Sequence, residues 1–443
     1  QLGSGSGATS TPDQNQDGLP SWSSGTISTQ GLGVFKGVQD PVKKSLYING
    51  DSAFNMANTT GSYNTTVGYE AGVGITGGGG NVIVGRMAGR YLNNGANNVM
   101  VGNYAGHAYN STENVFIGKF SGYANSKSHN VSIGCDTMQQ AYPTEYSVAI
   151  GYMAGYGAGG ENQIYIGREA GKSTSAYSNQ TGDDNIGIGA YALNKVTSGR
   201  NNVCIGSKSG EDLTTGQYNT CVGYWAGKDC TTAKHNVCIG ENCMGSHPSS
   251  SAVTAEYCVA VGSLALRSCT SGGHNVAVGR EAGTSITTGG GNVCLGYQTG
   301  RYITTGSNNI AICRYAMRSG TCTGGHNICM GYFAGDKITS ANYNVAIGYN
   351  TLKAATTGYS NVSIGPSSGF TLTTGFENVY IGNGAGYSST TSSKNVFIGL
   401  NAGMANTTGY ENVYMGERAG ESATGQHNTY IGAHAGRDGN NHY

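Results

Sequence analysis

From Asn64 onward the chain repeats one short pattern of apolar and polar positions about every 17 residues. Taking the Asn of each Asn-Val-x-Ile-Gly as position 0, 22 copies run from Asn64 to Asn428; of the 21 intervals, 14 are 17 residues long, four are 16, one is 18 and two are 22. Val or a close substitute holds +1 and Ile, Val, Leu or Met holds +3, a period-two alternation that predicts a short strand. Gly follows at +4 in every copy but the one ending at Cys313, so the chain turns there through a conformation other residues avoid. Position +7 is always small, +8 is Gly or, in fewer copies, Leu or Met, and an apolar residue recurs at +11 (Ile75, Leu213, Ile338), usually before Thr-Thr-Gly. That pattern predicts a second short strand and a second turn.

A 17-residue period is too short for helical-hairpin repeats or propeller blades, which need roughly 33 to 50 residues. It fits one turn of a narrow parallel β-solenoid, an all-β β-roll of about 22 coils with a rise of about 4.8 Å, hence roughly 100 Å long. The Asn at position 0, replaced only by Ser147, Gln163 and Cys258, is expected to form a ladder of amides bonded from coil to coil. Residues 1–44 lack the repeat and read as an extended polar arm for assembly or attachment, held by a neighbouring copy; 45–443 read as the solenoid, its first coil a degenerate one beginning at Leu46-Tyr47-Ile48. Ser175 to Asp184 and His247 to Glu256 read as loops inserted at one edge, where a specific ligand would be sought. The last copy, starting at Asn428, has no recognisable cap, and its open edge invites pairing with another chain: the expectation is either that the protein continued and was cut or that the next subunit supplies the cap.

Position +2 carries small and apolar residues in nearly every copy, from Ile83 and Phe116 through Cys221 and Ala277 to Tyr414. With Val at +1 and Ile at +3 assigned to the coil's own core, +2 faces outward as an apolar stripe, and such stripes mark interfaces. Copies of the chain are the expected partner. A three-fold arrangement explains the small central residues, and a two-fold one is the alternative.

Composition changes the picture only in what it excludes. With 24 acidic and 24 basic residues the chain is formally neutral, so nothing steers it toward nucleic acid or anionic lipid, and no apolar run is long enough to span a membrane. Eleven of the 12 Cys lie between Cys204 and Cys329; those at +2 read as buried small hydrophobes, while Cys230, Cys269 and Cys322 near the second turn are candidates for bridges in an oxidising setting. No metal-ligand spacing is present, so no metal or cofactor is expected. Glu70, Glu169, Glu281 and Glu417 are the carboxylates to consider for glycan cleavage, but their regular place at +5 or +6 reads as solvated corners beside Arg, and no catalytic residue is assigned. Adjacent threonines such as Thr287-Thr288 do not form the flat array of an ice-binding face. Asn58, Asn110, Asn179 and Asn406 lie in glycosylation triplets at turns, whereas Asn64, Asn130 and Asn361 match but fall in the ladder.

Copies such as Asn219-Thr220-Cys221-Val222-Gly223-Tyr224 and Asn344-Val345-Ala346-Ile347-Gly348-Tyr349 resemble the repeats of phage tail-fibre and bacterial surface proteins, and the heads of trimeric autotransporter adhesins. The resemblance covers about residues 45 to 443 and implies a trimeric β-roll; in those families such repeats often precede a self-cleaving chaperone domain, absent from this sequence. The expected function is a non-enzymatic extracellular fibre or filament subunit. An adhesin or viral tail-fibre protein that binds a surface glycan or receptor is the alternative, and ice binding is the second alternative.

Overall fold

The computed structural model describes residues 60–107, 110–139, 144–173, 181–245 and 252–438, together with the earlier strands Asp13–Gln14, Pro20–Ser21, Lys36–Asp40 and Ser45–Asn49. No helix occurs among these residues. The fold is an all-β parallel solenoid of about 21 turns with a period near 17 residues. It divides into two compact units, Gln1–Asn162 and Gln163–Tyr443. Most of the arm, residues 175–180 of the first inserted loop, residues 247–251 of the second and the last five residues lie outside the described residues.

The first unit holds six three-residue strands, from Thr65–Val67 to Val148–Ile150, each paired in parallel and in register with the next. Its degenerate first coil is present: Ser45–Asn49 pairs in parallel with Thr65–Val67, placing Tyr47 beside Thr66. Ser45 stands in for the ladder Asn, its Oγ accepting the Asn64 N–H at 2.9 Å. Lys36–Asp40 then pairs antiparallel with Ser45–Asn49 and covers the edge that the first coil leaves free. The second unit holds sixteen such strands, from Ile164–Ile166 to Thr429–Ile431, in one parallel ladder.

The strand faces are the reverse of the sequence reading. The +2 side chains are buried in every coil but the last, where Tyr430 is partly exposed, and fully so at Ile83, Phe116, Cys221, Ala277 and Tyr380, while +1 and +3 are partly exposed, as at Val82 (41 %), Ile239 (41 %) and Val278 (39 %). The alternation places two apolar sets on opposite faces without saying which is enclosed. Volume decides it. Position +2 shares its space with +8: Leu or Met at +8 (Met138, Leu193, Met244, Leu266, Met317, Leu352) occurs only in coils whose +2 residue is Ser, Gly, Cys or Ala, and every aromatic +2 residue faces a Gly at +8. A Cβ on Gly171 would come within 2.3 Å of the Tyr165 ring, and one on Gly122 within 2.6 Å of Phe116.

The predicted second strand is not formed. Around +11 and +12 the coils exchange single backbone bonds, such as Thr197 N–H to the Thr214 carbonyl at 2.9 Å, while the +11 side chain enters the core. The Gly at +4 is confirmed with its reason: φ is near +130° (Gly68 129°, Gly279 133°), and a Cβ on Gly279 would lie 2.4 Å from the Gly296 carbonyl oxygen of the next coil. Two further positions, −1 and +6, are left-handed in all 22 copies although only Gly80, Gly291 and Gly384 among them are glycines; Tyr218, His235, Trp225 and Glu281 are examples of the rest, and no β-branched residue occurs there. Each costs about 1 kcal/mol of backbone energy for an L-residue. The offset is a bond to the preceding coil, as when Tyr104 N–H donates to the Arg86 carbonyl at 2.9 Å and Asn97 N–H to Gly79 at 2.9 Å.

The ladder exists as expected. Asn81 Nδ2 donates to Asn64 Oδ1 and to the Gly95 carbonyl, both at 2.9 Å, and the Asn81 N–H donates to the same Oδ1 at 3.1 Å. The motif recurs through Asn395, Asn412 and Asn428, so these amides are buried and satisfied.

Candidate functional site

The turn from +4 to +9 aims three side chains outward per coil, those at +5, +6 and +9, because the left-handed residue at +6 swings the chain around the corner. Coil stacking then brings equivalent corners into contact. In the first unit, His107 packs among Tyr91, Tyr104 and Tyr123, stacked on the last at 5.0 Å, and Arg86 and Lys119 lie over Tyr104 and Phe120. Burial, with the nearby Arg90, lowers the His107 pKa. In the second unit, Lys208 and Lys228 flank Trp225 at 5.8 and 5.3 Å, and Arg314 lies 4.4 Å over Tyr315.

The carboxylates weighed for catalysis are placed apart and mostly neutralised. Glu70 pairs with Arg90 at 3.1 Å and Glu169 with Lys172 at 2.8 Å, while Glu417 is exposed. Glu281 is not solvated as expected: its side chain is enclosed between Arg280 at 3.1 Å and Arg301 at 3.2 Å and accepts from Gln298 Nε2 at 2.9 Å. Sequence reasoning missed a different pair, Asp212 and Asp229, both at +10 of adjacent coils. Burial first, and then a hydrogen bond with Asp212, push the Asp229 carboxyl up to about 6, while Lys195 pairs with Asp212. Coil stacking sets these two carboxyls against each other, and their interaction helps hold a proton on Asp229. The 17-residue spacing of the two Asp was the available signal.

All 12 Cys are free; ten are buried, Cys135 is partly exposed and Cys313 is exposed. Cys204, Cys221 and Cys238 are register partners in three successive strands. Cys230, Cys269 and Cys322, the candidates for bridges, are buried thiols at the second core position. No group of metal-ligating side chains gathers among the described residues. Of the glycosylation candidates, Asn110 is exposed, but Asn406 is fully buried at +11 and unavailable; Asn58 and Asn179 lie outside the described residues. Asn64, Asn130 and Asn361 are hidden in the ladder, as read from the sequence.

Comparison with known proteins returns no matching family model, no matching curated protein and no matching solved structure.

Proposed function

We propose that this chain is a non-enzymatic structural fibre or filament subunit that acts outside the cell or on a virion or cell surface and assembles with copies of itself through the +1/+3 strand face. The observation that carries this reading is the outward apolar array. In the second unit 30 of the 32 residues at +1 and +3 are apolar, Thr220 and Thr429 being the exceptions, and they stand in register from strand to strand. At roughly 50 Å² each the array exposes on the order of 1,500 Å², against about 300–600 Å² for the largest patch on a typical monomer and roughly 800 Å² per partner in a standard interface. An assembly of three such chains is the form that the resemblance to trimeric β-rolls favours. Ice binding loses support, because threonine hydroxyls at +12, such as Thr287 and Thr356, donate to the next coil's carbonyl at 3.2 Å.

The test is the oligomeric state in solution. Analytical ultracentrifugation of the native chain should give a trimer or higher assembly, and Ile205→Lys with Ile239→Lys and Val278→Lys should release monomers that keep their β circular dichroism. A native chain that sediments as a monomer at micromolar concentration sinks the reading. Electron microscopy then separates filaments from discrete particles, and removal of residues 1–44 tests the arm as the joint.

A further inference from the structure

We infer that the corner of the second unit from Arg280 to Lys353 is a binding surface for an acidic polysaccharide, one bearing carboxylate or sulfate groups. This surface belongs to a single chain and does not depend on how copies assemble. Between residues 275 and 376 the sequence carries six cationic and two acidic residues, within a chain that has 24 of each in all. Five of the six cations (Arg280, Arg301, Arg314, Arg318, Lys353) fall at +5 or +9, the outward positions of one corner, and the sixth, Lys337, is at +10. Both acids are already engaged, Glu281 between Arg280 and Arg301 and Asp336 by the Ser319 hydroxyl at 2.7 Å. No carboxylate pairs with Arg314, Arg318 or Lys353 among the described residues. Their partners are aromatic residues: Arg314 lies over Tyr315 at 4.4 Å and Tyr297 at 5.5 Å and donates from Nη2 to the Tyr315 hydroxyl at 2.7 Å, Arg318 lies over Tyr315 at 4.3 Å, and Lys353 over Phe333 at 4.8 Å. Arg318 Nε is buried without a hydrogen-bond partner.

A ring leaves the outer side of a guanidinium free to bond an anion, so the surface offers oriented cations beside tyrosine hydroxyls on coils stacked about 4.8 Å apart. A linear anionic chain lying along the coils can reach Arg314, Arg318 and Lys353 in turn. The ring arrangement favours a sugar polymer over a single-stranded nucleic acid. Tyr332 and Tyr349 stack on each other at 5.8 Å and Phe370 and Tyr387 at 5.0 Å, whereas a base inserted between two rings needs about twice the 3.4 Å stacking distance. Edges and hydroxyls, suited to sugar hydroxyls and acid groups, are what remain at the surface.

The experiment measures binding of the full chain to heparin, to polygalacturonate, to neutral dextran and to oligo(dT). Expected is binding to heparin or polygalacturonate that weakens with salt, none to dextran, and at least a tenfold loss in Arg314→Gln/Arg318→Gln/Lys353→Gln. Lys127→Gln/Lys234→Gln/Lys394→Gln, an equal charge change elsewhere, should keep the affinity. The relative strength of the two acidic probes distinguishes sulfate from carboxylate. A second reading needs no variant: Cys313, exposed beside Arg314, should be alkylated several-fold more slowly once the polysaccharide is bound. Failure to bind either acidic probe, equal losses in both triple variants, an unchanged Cys313 rate, or tighter binding to oligo(dT) would each overturn the inference.

Discussion

A Cβ on Gly403 would lie 2.4 Å from Cδ2 of Phe397, so the ring of one residue occupies the room that a side chain on the other would need. The reverse arrangement exists at Ala346 and Leu352, where a small +2 residue leaves room for a large one at +8, buried and held at φ 46°. The two positions therefore act as one volume. Phe397→Ala alone should cost about 3–5 kcal/mol through the cavity left behind, and Gly403→Leu alone should overpack the coil. The double variant should recover at least about 1 kcal/mol relative to the sum of the two. Denaturant unfolding of the four proteins measures that coupling, and strict additivity would show that the positions do not share space.

The Asn ladder should be costly to interrupt. Asn292 Nδ2 donates to Asn275 Oδ1 and the Gly306 carbonyl, and its Oδ1 accepts both the N–H and Nδ2 of Asn309. Asn292→Ala leaves several buried groups unpaired at about 1–3 kcal/mol each, so a loss of at least about 3 kcal/mol is expected in chemical unfolding. Cys258 is a natural interruption, its Sγ bonded to the Gly272 carbonyl at 3.4 Å. Cys258→Asn should raise stability by about 1 kcal/mol by restoring an amide acceptor to Asn275.

Thiol chemistry should be confined to two residues. Burial pushes the Cys294 thiol up to about 12 and raises that of Cys329, so neither access nor thiolate is available. Titration of the native protein with an aromatic disulfide reagent should modify Cys313 quickly and Cys135 more slowly, and all 12 only after unfolding. Rapid modification of four or more in the native state would contradict the enclosed +2 column.

The carboxyl pair predicts a pH dependence with a definite sign. Because Asp229 titrates near 6 when folded, against an ordinary value near 4, the folded chain holds a proton there that the unfolded chain has released. Stability contributed by this proton is therefore present below about pH 4 and is lost as pH rises through about 6. Asp229→Asn removes the effect. Relative to the native chain, it should unfold at the same denaturant concentration near pH 4 and at a higher one above pH 6.5, by about 1 kcal/mol once solvent screening of this half-exposed group is allowed for. Parallel curves for the two proteins across that window would refute the pairing.

What the sequence determined by itself is whatever repeats in residue identity. The strand at +1 to +3, the Gly at +4 and the ladder of Asn64, Asn81 and Asn98 are each required by the same local contact in coil after coil, so the period shows through. The inverse sizes of +2 and +8 were also written there, and they show that +2 points inward; alternation alone, apolar on both faces, does not. Tertiary structure alone decided the rest. The left-handed backbone at −1 and +6 is imposed on Tyr218, Trp225 and Glu281 by bonds to the neighbouring coil rather than by their own preference, so glycine does not mark it. That conformation turns Arg314, Arg318 and Lys353 to one corner, and stacking brings Asp229 against Asp212. Residues 17 or more apart in the chain become neighbours about 4.8 Å apart in space, and their chemistry exists only once the coils are stacked.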